Sequence, residues 1–254
     1  MLQIRLTANA GVLIETENAR IFLDALHCEG DHPFSKVPSD LLERMNHEDN
    51  RFRDVDYIVF SHGHPDHYSP GVVLEYLRHN QVRRLLLPQE DPERESDLSA
   101  FMCRKNIPMW RLGMQEGQRH TYALSKSIHV TAVGMRHMAG GLPGRLCDCI
   151  LLTLPHKHLL FLSDCAVQNG GTFDFLYDLP ISAMFINPYF FHTPMGRSLI
   201  HTKIQPHLTI LYHIPFSGED YAGMRGLVRQ DMRKYGTDFP NLQAFMEPEQ
   251  VISL

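Results

Sequence analysis

Apolar residues fall along this chain in short runs punctuated by glycine, proline and asparagine, and the runs change character from one stretch to the next. Residues 2–7, 11–16 and 20–23 are β-rich runs separated by Asn-Ala-Gly and Glu-Asn, which predicts an antiparallel meander closed by Asp24. Residues 27–38 contain Gly30, Pro33 and Pro38 and read as a long loop, after which Ser39 is expected to cap a short helix over 40–46. The four apolar residues 57–60 suffice for a buried strand. Ser69 and Pro70 then open a helix with Val72, Val73, Tyr76 and Leu77 at helical spacing. A strand over 83–87, a helix over 91–106 and strands over 107–112, 118–123 and 127–135 follow.

Beyond them the pattern starts again. Residues 148–154 and 158–162 form an expected hairpin through Pro155, His156 and Lys157. A short helix over 173–177, a strand over 183–186, a helix over 195–204 after Thr193 and Pro194, a strand over 207–212 and a helix over 219–235 complete the reading. Two successive runs of strands, each followed by alternating strands and helices, predict an α/β protein with two sheets face to face and helices outside. No Gly/Ser-rich linker separates them, so residues 1–254 are expected to form a single domain.

Composition narrows the function classes. A chain of 254 residues with 43 % apolar and 21 % charged residues can bury a sizeable core. Its net charge of -5 argues against the basic face that nucleic acid requires. The amino terminus lacks a positive segment followed by an apolar core, and no apolar run approaches the length of a membrane span, so a cytoplasmic chain is expected. Five cysteines show no disulfide framework. Cys147 and Cys149 are too close together for a zinc knuckle and read as core thiols, and Cys28 and Cys165 as structural.

The candidate chemistry begins where strand 57–60 ends. The stretch YIVFSHGHPDHY places His62, His64, Asp66 and His67 within six positions, and a strand end followed by a turn through Gly63 and Pro65 can converge them. Imidazole and carboxylate are first-row metal ligands. Three more such groups lie just past expected strand ends: His137 in MRHMAGGLPG, Asp164 after LLFL, and His213. These seven groups are more than two three-ligand sites would need if one carboxylate bridges. In a metal enzyme, three protein ligands per ion leave a position free for water or substrate, which marks catalysis over structure.

SHGHPDH resembles the HxHxDH motif of the metallo-β-lactamase fold superfamily, and His137, Asp164 and His213 follow in that family's order and approximate spacing. Asp24 resembles its structural acid near the site. The resemblance covers nearly the whole chain and implies a four-layer αββα sandwich with the site at one edge of the two sheets. It implies that His62, His64 and His137 hold one ion, that Asp66, His67 and His213 hold the other, and that Asp164 bridges them. Asp66 would also orient the nucleophile and carry a proton to the leaving group. One departure is Ser163-Asp164-Cys165, where many members have Gly-Asp-Thr.

Nitrogen and oxygen donors admit Zn²⁺, Mn²⁺ or Fe²⁺, with zinc the default. The expected function is a di-metal hydrolase of a small ester, lactone or phosphoester, similar to the stand-alone hydrolases related to L-ascorbate 6-phosphate lactonase. A phosphodiesterase or nuclease on the same site, and a non-catalytic metal or metabolite sensor, are the other readings. Loops 27–34, 140–145 and 187–197 are the expected substrate-selecting segments. In the last of them Tyr189, His192 and Arg197 are placed to meet an acidic or phosphorylated small molecule. Arg225, Arg229 and Arg233 fall at i, i+4 and i+8 and read as a solvated helix stripe.

Overall fold

A computed structural model describes residues 1–30, 32–89, 91–138, 146–168 and 170–254. The chain divides into two compact units, residues 1–112 with 215–219 and 247–254, and residues 113–214 with 220–246.

In the first unit β1 (Gln3–Leu6), β2 (Val12–Glu15) and β3 (Arg20–Leu23) form the expected antiparallel meander. β4 (Tyr57–Val59), β5 (Arg84–Leu87) and β6 (Met109–Arg111) continue the sheet in parallel from β3. The last strand of the chain, β14 (Val251–Ser253), pairs antiparallel with β1 and completes seven strands. β4 is buried along its whole length, which is why its sequence is a continuous apolar run instead of an alternation. Over this sheet α2 (Pro70–His79) buries Val73, Leu74, Tyr76 and Leu77, and they join Phe22, Phe52, Ile58, Phe60 and Leu85 in one core. α3 (Pro92–Lys105) starts on an Asp91 side chain that accepts from Arg94 N, and it ends at Asn106 in the left-handed region.

Two expected helix caps are not made. Pro38, not Ser39, precedes α1 (Ser39–Glu43), so Ser39 lies inside the first turn and caps nothing; a π-helical turn, Arg44–Glu48, extends it. Ser69 precedes α2 but makes no side-chain cap. Its Oγ accepts instead from Cys28 N at 3.2 Å and Glu29 N at 3.1 Å, fastening the loop of residues 27–34 to the start of the helix.

The second unit repeats the scheme. β7 (Arg119–Ala123), β8 (His129–Arg136), β9 (Leu146–Leu154) and β10 (Lys157–Phe161) are antiparallel, and β11 (Ala183–Ile186), β12 (Thr209–Leu211) and β13 (Leu242–Ala244) run parallel to β10. The expected 195–204 helix is in fact α5 (Pro194–Leu199) followed by a π-helical turn, Ile200–Ile204, and a separate α4 (Pro188–His192) precedes it on an Asn187 cap. α6 (Met224–Tyr235) starts five residues later than its apolar pattern suggests, because the Asp220 carboxylate takes the Met224 and Arg225 amides at 2.8 Å each. Arg225 is buried and donates to Met246 O, so the expected stripe is reduced to the exposed Arg229 and Arg233.

Each sheet therefore switches from antiparallel to parallel, at β3/β4 and at β10/β11. Ligands in such sheets gather at the carboxyl ends of strands near the switch. No helix among the described residues is long and apolar enough to cross a membrane.

Candidate metal centre

Asp24 and the segment 61–67 leave the carboxyl ends of the adjacent parallel strands β3 and β4. Asp24 takes a positive φ of 50°, which turns the chain sharply at the strand end and keeps its carboxylate in the interior. Oδ1 accepts from Ser61 N at 2.7 Å, and Oδ2 accepts from Ser61 Oγ at 2.6 Å and from His67 Nδ1 at 2.9 Å.

This network assigns the tautomers of two rings. Ser61 gives its hydroxyl proton to Asp24, so the 3.0 Å contact between Ser61 Oγ and His62 Nδ1 is donated by the ring. His67 likewise donates through Nδ1. Both rings are thereby left with an Nε2 lone pair, the form a metal ligand requires. His62 Nε2 lies 3.1 Å from His64 Nδ1, and His67 Nε2 lies 3.7 Å from Asp66 Oδ2. Two imidazoles on one tetrahedral zinc ion hold their nitrogens about 3.3 Å apart. The His62–His64 spacing fits that edge.

In the second unit β8, β10 and β12 point the same way, and His137, Asp164 and His213 follow their carboxyl ends. Asp164 presents its two oxygens to different rings: Oδ2 is 3.2 Å from His137 Nε2, and Oδ1 is 3.2 Å from His213 Nε2. The backbone holds this arrangement. His137 and Cys165 form an antiparallel bridge, with Met138 N donating to Asp164 O and Ala166 N to Arg136 O at 2.8 Å each. Ser163 (φ 47°) and His213 (φ 61°) both take left-handed conformations. Ser163 N donates to Tyr212 Oη at 3.1 Å, and Asn187 Nδ2 donates to Ser163 O at 3.0 Å.

Ligand atoms of His62, His64, His137 and Asp164 lie within 4.8 Å of one another, and so do those of Asp66, His67, Asp164 and His213. All seven sequence-predicted donors are present in these two groups, which share Asp164. The donor set consists of imidazole nitrogen and carboxylate oxygen and suits a pair of divalent ions. Ser61, Asn187 and Tyr212, which hold the backbone and rings of this site, were not singled out from the sequence; for Ser61 and Tyr212 the signal was their place next to His62 and His213.

The neighbouring residues have settled roles. Cys147 and Cys165 are buried with their sulfurs 3.2 Å apart, and burial, then the Cys147 thiol, pushes the Cys165 thiol up, as expected for inert core thiols. Burial holds the His32 imidazole below its usual range in loop 27–34, whose residue 31 lies outside the described residues. Loop 140–145 also lies outside them. On α4, Tyr189 is exposed, and the half-exposed His192 ring contacts Asp231 Oδ2 through Nδ1 at 2.9 Å. Arg197 donates to the Phe191 and His192 carbonyls and stacks 3.8 Å over Tyr235, so its guanidinium is committed to the end of α4. Lys203 pairs with Asp174.

No protein-family profile matches the sequence, and no curated protein sequence matches it. Solved structures do. The chain is similar to a possible metal-dependent hydrolase from Veillonella parvula DSM 2008, with a TM-score of 0.66 at 13 % identity over 100 % of both chains. Zn(2+)-bound PqqB from Methylobacterium extorquens gives a TM-score of 0.58 at 11 % identity, again over 100 % of both. CmlA, a diiron β-hydroxylase from Streptomyces venezuelae, gives 0.60 at 15 % identity; all of this chain matches 54 % of that one, so the chain spans about half of its length. At these identities the likeness is one of fold. Two mixed sheets with their helices match structures of the metallo-β-lactamase fold.

Proposed function

We propose that this chain is a binuclear metal-dependent hydrolase acting on a small ester, lactone or phosphoester. The observation that carries the reading is the pair of ligand groups sharing Asp164. His62, His64 and His137 would hold one ion, Asp66, His67 and His213 the other, and Asp164 would bridge. Zinc is the proposed occupant, on the donor chemistry and on the Zn(2+)-bound state of PqqB; the diiron CmlA makes iron the outcome to test against it. When bound, such ions supply the Lewis acidity that brings the pKa of water toward neutrality and polarises a carbonyl or phosphoryl oxygen.

The chain's own groups do the remaining work. Asp24 and Ser61 hold His62 and His67 as Nδ1–H tautomers. Asp66 orients the attacking water and passes its proton to the leaving oxygen. Tyr189 and His192 receive an acidic or phosphorylated small-molecule substrate, with the His192 ring oriented by Asp231. The resemblance to lactonase-related hydrolases makes a lactone phosphate the first substrate to try.

Elemental analysis of the purified protein is expected to find two ions per chain. His64→Ala is expected to release metal and abolish turnover on a panel of lactones, esters, bis-p-nitrophenyl phosphate and cyclic nucleotides. Full activity in a metal-depleted chain would overturn the hydrolase reading. Cleavage of phosphodiesters alone would point to a phosphodiesterase or nuclease, and tight metal occupancy with no turnover to a sensor.

A further inference from the structure

We infer that Arg94 is a positioning residue for the metal ligands His64, Asp66 and His67, an inference that rests on the metal-dependent reading above. Between the end of β4 at Val59 and the start of α2 at Pro70 the ligand segment lies outside the named strands and helices, tied at its ends by Phe60 N donating to Leu86 O at 3.0 Å and by a parallel bridge of Tyr68 with Leu26. From within, the His64 carbonyl closes the turn by accepting from His67 N at 3.0 Å and Tyr68 N at 2.9 Å. From without, Arg94 grips both ends of that turn: Nη1 donates to Gly63 O at 2.8 Å and Nη2 to Tyr68 O at 3.3 Å.

The two carbonyls bracket His64, Asp66 and His67. One planar guanidinium with donors in a rigid fork spans the turn, a geometry that a lysine cannot reproduce. Arg94 is itself well founded. The Asp91 side chain accepts from its amide at the start of α3. The next residue, Glu95, is 1 % exposed and pairs with Arg111 Nη2 of β6 at 2.6 Å, which anchors this first turn of the helix to the same sheet that delivers the ligands. Arg94 thus adds the rigidity of α3 to backbone that its own turn, the Tyr68–Leu26 bridge and the His67–Asp24 contact also hold. Its effect on a bound ion passes through Gly63 and Tyr68, and it touches no ligand side chain in the contacts above.

Partners of this kind, one shell removed from the metal, change metal affinity by roughly 10–100-fold when they are lost. The test compares wild type, Arg94→Gln, Arg94→Lys and, as a control, Arg104→Gln, an exposed position in the last turn of α3. Three quantities are measured: Zn²⁺ affinity by competition with a chromophoric chelator, the visible spectrum of the Co²⁺-loaded protein, and the melting temperature of the metal-free protein. Arg94→Gln is expected to weaken Zn²⁺ binding roughly 10–100-fold and to alter the Co²⁺ spectrum. Arg94→Lys, able to reach one of the two carbonyls, should recover part of both, and Arg104→Gln should match wild type.

Wild-type affinity and spectrum in Arg94→Gln would overturn the inference. So would a lowered metal-free melting temperature with unchanged Co²⁺ spectra in both Arg94 variants, the mark of a merely structural arginine. Failure of the wild type itself to take up Zn²⁺ or Co²⁺ would overturn the metal-dependent reading and this inference together, which distinguishes the two failures.

Discussion

Asp24 is the residue on which the imidazoles of His62 and His67 both depend, one directly and one through Ser61. An asparagine at this position keeps the size but replaces one acceptor oxygen by a donor, which faces either the Ser61 amide proton in place of Oδ1 or both the Ser61 hydroxyl and the His67 Nδ1 protons in place of Oδ2. Asp24→Asn is therefore expected to fold and to bind metal about 10–100-fold more weakly, as measured by chelator competition. Unchanged affinity would remove Asp24 from the metal site. The candidate donors themselves were legible in the sequence because imidazole is a chemically distinctive side chain and four donors fall within six positions. Ser61, Asn187 and Tyr212 were not, because a serine hydroxyl, an amide or a phenol has many uses and only the backbone group it meets selects one.

At the scale of elements, the meander, the β9–β10 hairpin and α2 and α3 were readable, since their apolar spacing is regular over four or more residues. β13 (LQA) and β14 (VIS) lack the longer apolar run that made the equally short β4 readable. α4 escaped because Pro188 and Pro194 lie so close together that the stretch between them reads as loop. β9 also carries a buried carboxylate with a consequence of its own. Asp148 accepts from Gly113 N at 2.9 Å and Met114 N at 3.1 Å, yet burial outweighs these donors and pushes its carboxyl up to about 6. A carboxyl raised above its unfolded value favours the protonated fold, so its contribution is full below about pH 4 and is lost as pH rises through about 6. The shift corresponds to about 3 kcal/mol. Denaturation of the metal-free protein and of Asp148→Asn should show the stability difference moving against wild type by that order between pH 4 and 7. A constant difference would contradict it.

For the whole molecule, the proposed ligands come from positions as far apart in the chain as His62 and His213, so binding of metal should stabilise the folded state by mass action. At a free metal concentration 100 times the dissociation constant the gain is about 2.7 kcal/mol. For a chain of this size that raises the melting temperature on the order of 5–10 °C. Thermal melts with a chelator and with graded Zn²⁺ should show a concentration-dependent rise, and a melting temperature indifferent to metal would count against native binding.

The sequence by itself determined which candidate donors the chain offers and in what order, the alternation of strands and helices in two successive runs, and the resemblance that led to the fold, because donor chemistry and apolar period are local properties of residue type. Only the tertiary structure decided which ring nitrogens are left as ligands, that the two oxygens of Asp164 face different histidines, and that Arg94 grips the ligand turn. Those facts depend on contacts such as Ser61 with Asp24, 37 positions away, and Ser163 with Tyr212, 49 positions away. No local pattern encodes the direction of a side chain toward a partner that distant; only packing of the intervening chain brings the two within hydrogen-bond range.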